Sequence, residues 1–196
     1  PIDDAEKEKM QIQLASGRPY FLYVGSLHPR KNLEGLLAAF ETYVKQGGSW
    51  DLAVVGVAMW AEGMPALSRT LQGRVHVVGR LDNELLALAM GASRGLVFVP
   101  WFEGFGIPIV EAMACGVPVI ASNVTSLPEV CGEAAFALVD PSQPMDIAQE
   151  MLRLENDPDA AQVAKTMGLA RANDFSWRLT GEKMSHALNR LMDGRP

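Results

Sequence analysis

The chain has 196 residues, of which 48% are hydrophobic, enough for one sizeable hydrophobic core. Its 17 basic and 23 acidic residues give a net charge of −6, which argues against a nucleic acid as the main partner. The longest apolar runs are far shorter than the ~20 residues of a membrane-spanning helix. Cys115 and Cys131 lack metal-ligand spacing, so we expect free thiols in a reducing cytoplasm.

Strand-like and helical segments alternate along most of the chain. In chain order, the pattern predicts strands at residues 20–24, 52–55, 74–78, 96–99, 117–121 and 135–138, and helices at 33–44, 65–71, 83–91 and from about 107. After Asp140 the pattern is helical, over 144–156, 158–173 and 177–192. Near-continuous apolar strands separated by helices predict an α/β fold, a doubly wound parallel sheet of the Rossmann type.

The predicted domain organisation is simple. Residues 1–18 are expected to form a lead-in helix or linker, and residues 19–196 a single domain that includes the C-terminal helices. The chain begins without an initiator methionine, and we expect it to be a piece of a longer protein.

Two loops that follow predicted strands carry candidate ligand-binding residues. A doubly wound sheet binds ligands beyond the carboxyl ends of its strands, where residues 25–31 and 100–106 are expected to lie. In the first loop, Gly25 permits close approach of a ligand to the backbone. Lys31 can hold a diphosphate as a point charge, and Arg30 can add a planar fork of donors. We expect Asn32 to cap the following helix. A solvated Arg–Lys pair is the alternative.

The second loop joins an acid at each end to a helix start. Glu103 and Glu111 stand eight positions apart, with Gly104 and Gly106 between them. A helix that begins near Ile107 favours a phosphate at its N-terminus, with Glu111 expected in the first turn. Two carboxylates favour hydroxyls, cations or protons, and a ligand with both phosphate and sugar hydroxyls, a nucleotide sugar, satisfies the whole arrangement. The alternative is that Glu103 and Glu111 are solvated surface acids and that the Phe105 side chain packs in the core.

These two segments resemble the hallmarks of the large family of retaining glycosyltransferases known as family 4. The likeness runs from about Tyr20 to about Leu188. The matching segments are Val24-Gly25-Ser26-Leu27-His28-Pro29-Arg30-Lys31-Asn32-Leu33, the stretch from Glu103 to Glu111 followed by Ala112-Met113-Ala114-Cys115-Gly116-Val117-Pro118, Leu127-Pro128-Glu129-Val130 and Phe175-Ser176-Trp177.

The resemblance implies a role for each candidate residue in binding a nucleotide-sugar donor. Lys31 would contact the diphosphate and stabilise it as it leaves, Glu103 would hold hydroxyls of the transferred sugar, and Glu111 would hold the ribose. Many family members carry an arginine directly after the glycine, and here Ser26 stands there, so Arg30 is its expected substitute. The backbone amides of Phe105, Gly106 and Ile107 would face the sugar and phosphate, and the backbone of Gly79 and Arg80 would frame the base. Arg80 could equally be a solvated charge.

The resemblance further implies the C-terminal, donor-binding half of a two-domain GT-B enzyme that transfers a hexose with retention, without metal or cofactor. The Pro29-Arg30-Lys31-Asn32 variant looks closest to bacterial mannosyl- or rhamnosyl-type enzymes of surface polysaccharide synthesis, which favours GDP-mannose. The expected partner is an N-terminal acceptor-binding domain of the same protein, and without it this chain should transfer nothing. The full-length enzyme would lie in the cytoplasm, peripheral to the inner face of the membrane.

The rival hypothesis is a non-catalytic, flavodoxin-like binding or interaction module. Such a module would not need two acids and a lysine at one edge of its sheet, and that coincidence argues against it. No G-x-G-x-x-G opens the first helix of the sheet, which argues against NAD. His28 and His76 are expected to have no chemical role, whereas Trp101 is expected to shape the sugar pocket next to Glu103.

Overall fold

A six-stranded, wholly parallel sheet forms the centre of the protein, in a computed structural model that describes residues 2–57 and 64–192. The strands are β1 (Tyr20–Val24), β2 (Asp51–Val55), β3 (Val75–Gly79), β4 (Gly95–Phe98), β5 (Val119–Ser122) and β6 (Ala137–Val139). The described α-helices are α1 (Asp4–Ala15), α2 (Leu33–Lys45), α3 (Asn83–Ala92), α4 (Ile107–Ala114), α5 (Leu127–Cys131), α6 (Pro144–Asn156), α7 (Pro158–Ala172) and α8 (Trp177–Met192).

The strands lie in the order β3-β2-β1-β4-β5-β6, and every pairing is parallel. The chain builds outward from β1 to β3, then returns to the centre and builds outward the other way from β4. The direction of winding therefore reverses between β1 and β4, which is where open α/β sheets place their ligands. The predicted doubly wound parallel sheet is confirmed.

Two hydrophobic clusters, one on each face, hold the helices against the sheet. Helices α1, α3 and α4 cover one face, and α2 and α6 cover the other. All five residues of β2 are buried, which explains why this strand reads as a continuous apolar run rather than an alternating one. Helix α7 contributes to both clusters through Ala164 and Ala172 and lays Gly168 against the Met113 side chain of α4.

The helix predicted at residues 65–71 is wrong. Only a turn of 3₁₀ helix forms, over Arg69–Leu71. Seven residues make fewer than two α-helical turns, too few to stabilise a helix without extensive packing. This short turn is held against the protein by Leu71, whose side chain is buried in the hydrophobic cluster around α2.

Helix α8 is amphipathic but contributes no buried residue. Four apolar side chains lie about one or two turns apart on one side, and each of these is more than half exposed: Trp177, Met184, Leu188 and Leu191. Among the described helices, none combines the length and the apolar character needed to cross a membrane.

A buried charge cluster fixes the start of β2. The Asp51 side chain is fully buried and accepts from Arg74 Nε at 2.6 Å, lies 2.7 Å from His76 Nε2 and pairs with Arg18 at 3.3 Å. Arg74 also donates to the carbonyl oxygens of Gly48 and Trp50. His76, expected to have no chemical role, therefore has a structural one, since the cluster joins the loop before β2 to β3.

We expect Asp51→Ala to lower the free energy of unfolding by about 3 kcal/mol, because removing one partner leaves partly buried cations without their counter-charge. Urea denaturation of the purified chain measures this. Glu182→Ala is the matched control, since its pair with Arg178 is mostly exposed and should be worth less than about 1 kcal/mol. Equal effects of the two substitutions would show that the Asp51 cluster does not stabilise the fold.

Candidate functional site

The loops after β1 and β4 meet at the carboxyl edge of the sheet. The Trp101 amide donates to the carbonyl oxygen of Arg30 at 2.9 Å, and Arg30 Nη1 donates to the carbonyl oxygen of Phe102 at 3.1 Å. The two segments that the sequence singled out, residues 25–31 and 100–106, are therefore bonded to each other at the point where the winding reverses.

An ion pair between Lys31 and Glu103 lies at the centre of this contact. Lys31 Nζ donates to Glu103 Oε2, with the two side chains only 12% and 16% exposed. The ammonium also lies 5.1 Å from the centre of the Phe98 ring, and Glu103 Oε1 accepts from the Gly104 amide at 3.2 Å. The sequence assigned the two residues to different parts of a ligand, whereas the structure places them in contact. A lysine ammonium carries three donors, so the pair leaves capacity for a further acceptor.

Glycines end three neighbouring strands beside this pair. The Gly25 amide donates to the Val55 carbonyl at 3.0 Å, and the Gly56 amide donates to the Gly79 carbonyl at 2.8 Å, so the strand pairing continues past β1 and β2. A Cβ on Gly56 would lie 1.7 Å from the Gly25 carbonyl oxygen. Gly56 was not among the predicted residues, although the sequence does show a glycine directly after β2.

Two hydroxyl side chains support the loop after β4. Thr125 Oγ1 accepts from the Glu103 amide at 3.4 Å, and Ser126 Oγ donates to the carbonyl oxygens of Glu103 and Phe105 at 3.1 and 3.2 Å. Thr125 has a left-handed backbone conformation, with φ of 55°. Sequence reasoning missed both residues. The only signal is a Thr-Ser pair directly before α5, the type of residue that bonds to nearby backbone groups.

The N-terminus of α4 faces the same edge. The helix begins at Ile107, as predicted, and Gly106 precedes it with φ of 97°, a conformation that suits glycine. The amides of Phe105, Gly106 and Ile107 donate to no acceptor within residues 2–57 and 64–192. Phe105 is 45% exposed and contacts Phe175 edge-on, so the alternative of core packing is wrong. The result is three unpaired donors at the positive end of a helix.

Glu111 lies farther along α4 than predicted. It is the fifth residue of the helix, and no acid occupies the first turn. The reason is that α4 begins at Ile107, so Glu111 stands one full turn later. The side chain is exposed, yet partial burial raises its pKa above the ordinary glutamate value.

Asn32 and His28 both have structural roles; the predicted helix cap by Asn32 is wrong, whereas His28 was expected to have no chemical role. Asn32 precedes α2 with a left-handed backbone and forms no side-chain cap, because its buried amide instead donates to the carbonyl oxygens of Val99 and Pro141, each at 3.0 Å. His28 Nδ1 accepts from the Arg30 amide at 3.1 Å and begins the 3₁₀ turn Pro29–Lys31. These residues shape the backbone that presents Lys31.

The remaining predicted residues are more widely spaced. Gly79 ends β3 and Arg80 follows it. β3 is two strands from β1, and strands lie ~5 Å apart, so both residues stand roughly 10 Å to the side. The Arg80 side chain is exposed. Ser26 is half-buried, and its carbonyl accepts from the Tyr23 hydroxyl at 3.1 Å. Over the described ranges, no three His, Cys, Asp or Glu residues cluster closely enough to hold a metal ion.

A cleft of about 340 Å³ opens on the α2 side of the two loops. Trp101, which is 48% exposed, forms part of its wall, together with His28, Glu34 and Ser142. Lys31, Glu103 and Glu111 do not line it. Trp101 therefore shapes a cavity beside the ion pair rather than one that contains Glu103.

The sequence matches the family described as "Glycosyl transferases group 1" over residues 4–169. The chain belongs to this family. It is 38% identical to the O-antigen chain mannosyltransferase B of Escherichia coli over 162 residues, which are 81% of this chain and 42% of that protein. It is 29% identical over 180 residues to the serotype-specific mannosyltransferase WbdA of Escherichia coli, covering 88% of this chain and 22% of that protein. The chain thus spans less than half the length of these relatives.

Solved structures share the fold. Sucrose-phosphate synthase from Thermosynechococcus elongatus matches with a TM-score of 0.80 and 29% identity, over 99% of this chain and 50% of that one. Anabaena HepE in complex with UDP matches with a TM-score of 0.84 and 21% identity, over 96% of this chain and 53% of that one. The C-terminal domain of a Francisella tularensis group 1 glycosyl transferase, LpcC, matches over 89% of this chain and 93% of that one, with a TM-score of 0.74 and 19% identity.

We expect Gly56→Ala to lower the free energy of unfolding by about 3 kcal/mol, the upper end of the overpacking range, because its Cβ overlaps the Gly25 backbone. Gly73→Ala is the control. Gly73 has φ of 72° and open space around it, so this substitution adds only the strain of a left-handed alanine, about 1 kcal/mol. Thermal and urea unfolding measure the free energy of unfolding of both variants. Equal losses in the two variants would mean that the ends of β1 and β2 move apart without cost to make room for the new Cβ.

Proposed function

We propose that this chain is the donor-binding half of a retaining hexosyltransferase and that it binds a nucleotide sugar at the carboxyl edge between β1 and β4. One observation carries the proposal: the three unpaired amides that precede or begin α4 lie in the same loop system as the Lys31–Glu103 pair. Unpaired amides and an ammonium suit a diphosphate. Carboxylates at Glu103 and Glu111 suit the hydroxyl groups of a sugar and a ribose.

In this proposal, positive groups offset the charge that develops on the departing diphosphate. Lys31 is its principal contact. A phosphate oxygen can share the Lys31 ammonium with Glu103, since the ammonium has three donors. Arg30 stands next to Lys31 and already donates one bond to Phe102, which leaves further N–H groups of its planar fork for the ligand. Electrostatic stabilisation of this kind needs no protein nucleophile and no metal.

The proposed donor is GDP-mannose, used in the synthesis of a bacterial surface polysaccharide. Support comes from the names of two similar proteins, an O-antigen chain mannosyltransferase and a serotype-specific mannosyltransferase. The Pro29-Arg30-Lys31-Asn32 sequence agrees with this. The proposed backbone contact of Gly79 and Arg80 with the base requires a ligand that reaches about two strands sideways from Lys31, and a nucleoside diphosphate is long enough to do so.

The proposed partner is an acceptor-binding domain of the same protein. The chain spans 42% of its mannosyltransferase relative and 50% of the sucrose-phosphate synthase chain, and α8 exposes an apolar side that such a domain could cover. Transfer requires donor and acceptor to be held in a reactive geometry, so we propose that this chain binds donor but transfers no sugar alone. The full-length enzyme would act in the cytoplasm, at the inner face of the membrane.

Two substitutions test the site through different parts of the ligand. Lys31→Ala should weaken GDP binding by roughly 1.5–3 kcal/mol, because a charge-assisted contact is lost, and should leave guanosine binding nearly unchanged. Glu111→Ala should weaken guanosine and GDP alike, because the ribose is common to both. Isothermal titration calorimetry with GDP, UDP, ADP, GDP-mannose and guanosine measures these affinities.

Lys45→Ala and Glu133→Ala are controls of matched charge that lie outside the site. Both should bind GDP as the unchanged chain does. If calorimetry detects no binding heat with any of these nucleotides at millimolar concentration, the proposal is wrong. Unchanged guanosine affinity in Glu111→Ala would remove the ribose assignment alone.

The raised pKa of Glu111 predicts a pH dependence of nucleoside binding. The ionised carboxylate accepts from a hydroxyl with each of its two oxygens, whereas protonation makes one oxygen a donor. A raised pKa means that this protonation begins at a higher pH than in an ordinary glutamate. Guanosine affinity should therefore fall as the pH is lowered from about 7.5 toward 5. Glu111→Gln should bind weakly at every pH with a flat profile. If the guanosine affinity of the unchanged chain and that of Glu111→Gln fell equally as the pH is lowered, a group other than Glu111 would be responsible.

A further inference from the structure

A second cleft lies at the amino edge of the sheet, the opposite end from the Lys31–Glu103 pair. Its volume is about 400 Å³, and it is lined by the loops that lead into β2, β4 and β5 together with parts of α1, α6 and α7. Lys7, Arg94 and Lys165 are its basic residues, and Glu155 is the single acid among its described lining. We call these three basic residues and their surroundings the cationic cleft.

The three basic residues come from separate elements and line one cleft. Lys7 lies on α1, Arg94 precedes β4, and Lys165 lies on α7, where its side chain crosses Gly116 at 3.2 Å from the position of a Cβ. Within the described residues, none of the three forms an ion pair. Such a concentration of positive charge is unexpected in a chain whose net charge is −6.

The acid in the lining is already engaged elsewhere. The carboxylate of Glu155 accepts from the hydroxyls of Tyr43 and Ser49 and from the Ser49 amide at 3.2 Å. Asp4 is an acid that acts on Lys7, and its effect is weaker than that of either Arg94 or Lys165. Partial burial, followed by the charges of Arg94 and Lys165, lowers the pKa of Lys7 despite Asp4. Lys7 and Lys165 are partly buried and Arg94 is exposed, so three like charges share one cleft, and a bound anion would relieve their mutual repulsion.

We propose that the cationic cleft binds a phosphate group, with Lys7, Arg94 and Lys165 as its contacts. A phosphate offers more acceptor oxygens than a carboxylate and carries up to two charges, so it can engage a guanidinium fork and two ammonium groups together. The N-terminal part of α7 also lines the cleft, at Pro158, Ala161 and Gln162, but Asp157 already caps this helix end, so the basic side chains are the proposed contacts. The phosphate belongs either to a small soluble molecule or to a lipid headgroup.

Calorimetry with inorganic phosphate tests the proposal, with every protein carrying Lys31→Ala so that the carboxyl edge contributes little. Lys7→Gln and Lys165→Gln should each weaken phosphate binding about tenfold, as expected for one charge-assisted contact. Lys183→Gln, on exposed α8, makes the same charge change and should bind phosphate normally. Circular dichroism checks that each variant folds.

Thermal unfolding supplies an independent readout. Without phosphate, Lys7→Gln should unfold at the same or a higher temperature than its parent, because repulsion is relieved, and it should lose most of the rise in unfolding temperature that phosphate produces in the parent. Vesicles of phosphatidylcholine and phosphatidylglycerol in equal amounts distinguish the two sources. Binding to them that Lys7→Gln abolishes indicates a lipid phosphate, and binding of free phosphate alone indicates a soluble ligand.

Two results would overturn the proposal. One is that neither phosphate nor the vesicles bind at millimolar concentration. The other is that Lys7→Gln and Lys165→Gln bind as well as Lys183→Gln does. Neither result depends on whether GDP binds at the opposite edge, so the two proposed sites are tested independently.

Discussion

The neighbouring positions of β1 and β4 are the constraint on which the candidate site depends. Residues 25–31 and 100–106 are far apart along the chain, and they meet only because the sheet is wound outward twice from its centre. Once the two strands are paired, the backbone bond from Trp101 to Arg30 and the Lys31–Glu103 ion pair can form. The glycine ends of β1 and β2 then keep the edge free of side chains beside that pair.

Most of the fold and the location of the site could be predicted from the sequence because both rest on local patterns. Buried parallel strands read as short apolar runs, and a general rule assigns ligands to the loops at their carboxyl ends. Gly106 and Ile107 mark a helix start that the structure confirms. The prediction of a helix at residues 65–71 was wrong because seven residues are too few to form a stable α-helix, and burial of Leu71 is satisfied by a single 3₁₀ turn.

The interior of the site could not be predicted in the same way, because its bonds link residues that are distant in sequence. Asn32 reaches carbonyl groups 67 and 109 positions away, and Lys31 and Glu103 are 72 positions apart. Propensity suggested a cap for Asn32, but a buried amide between two carbonyl groups satisfies more donors than a cap would. Thr125 and Ser126 were missed for the same reason, since a hydroxyl's partner depends on which loop lies over it.

The Asn32 amide has a consequence for the motions of the carboxyl edge. One NH₂ group bridges the segment after β1, the end of β4 at Val99 and the turn after β6 at Pro141. If any one of these segments moved outward alone, it would leave a buried donor or carbonyl unpaired, which is unfavourable in a dry interior. We therefore expect the three segments to move together rather than one at a time. By the same reasoning, we expect a ligand that orders one of these segments to order the other two as well.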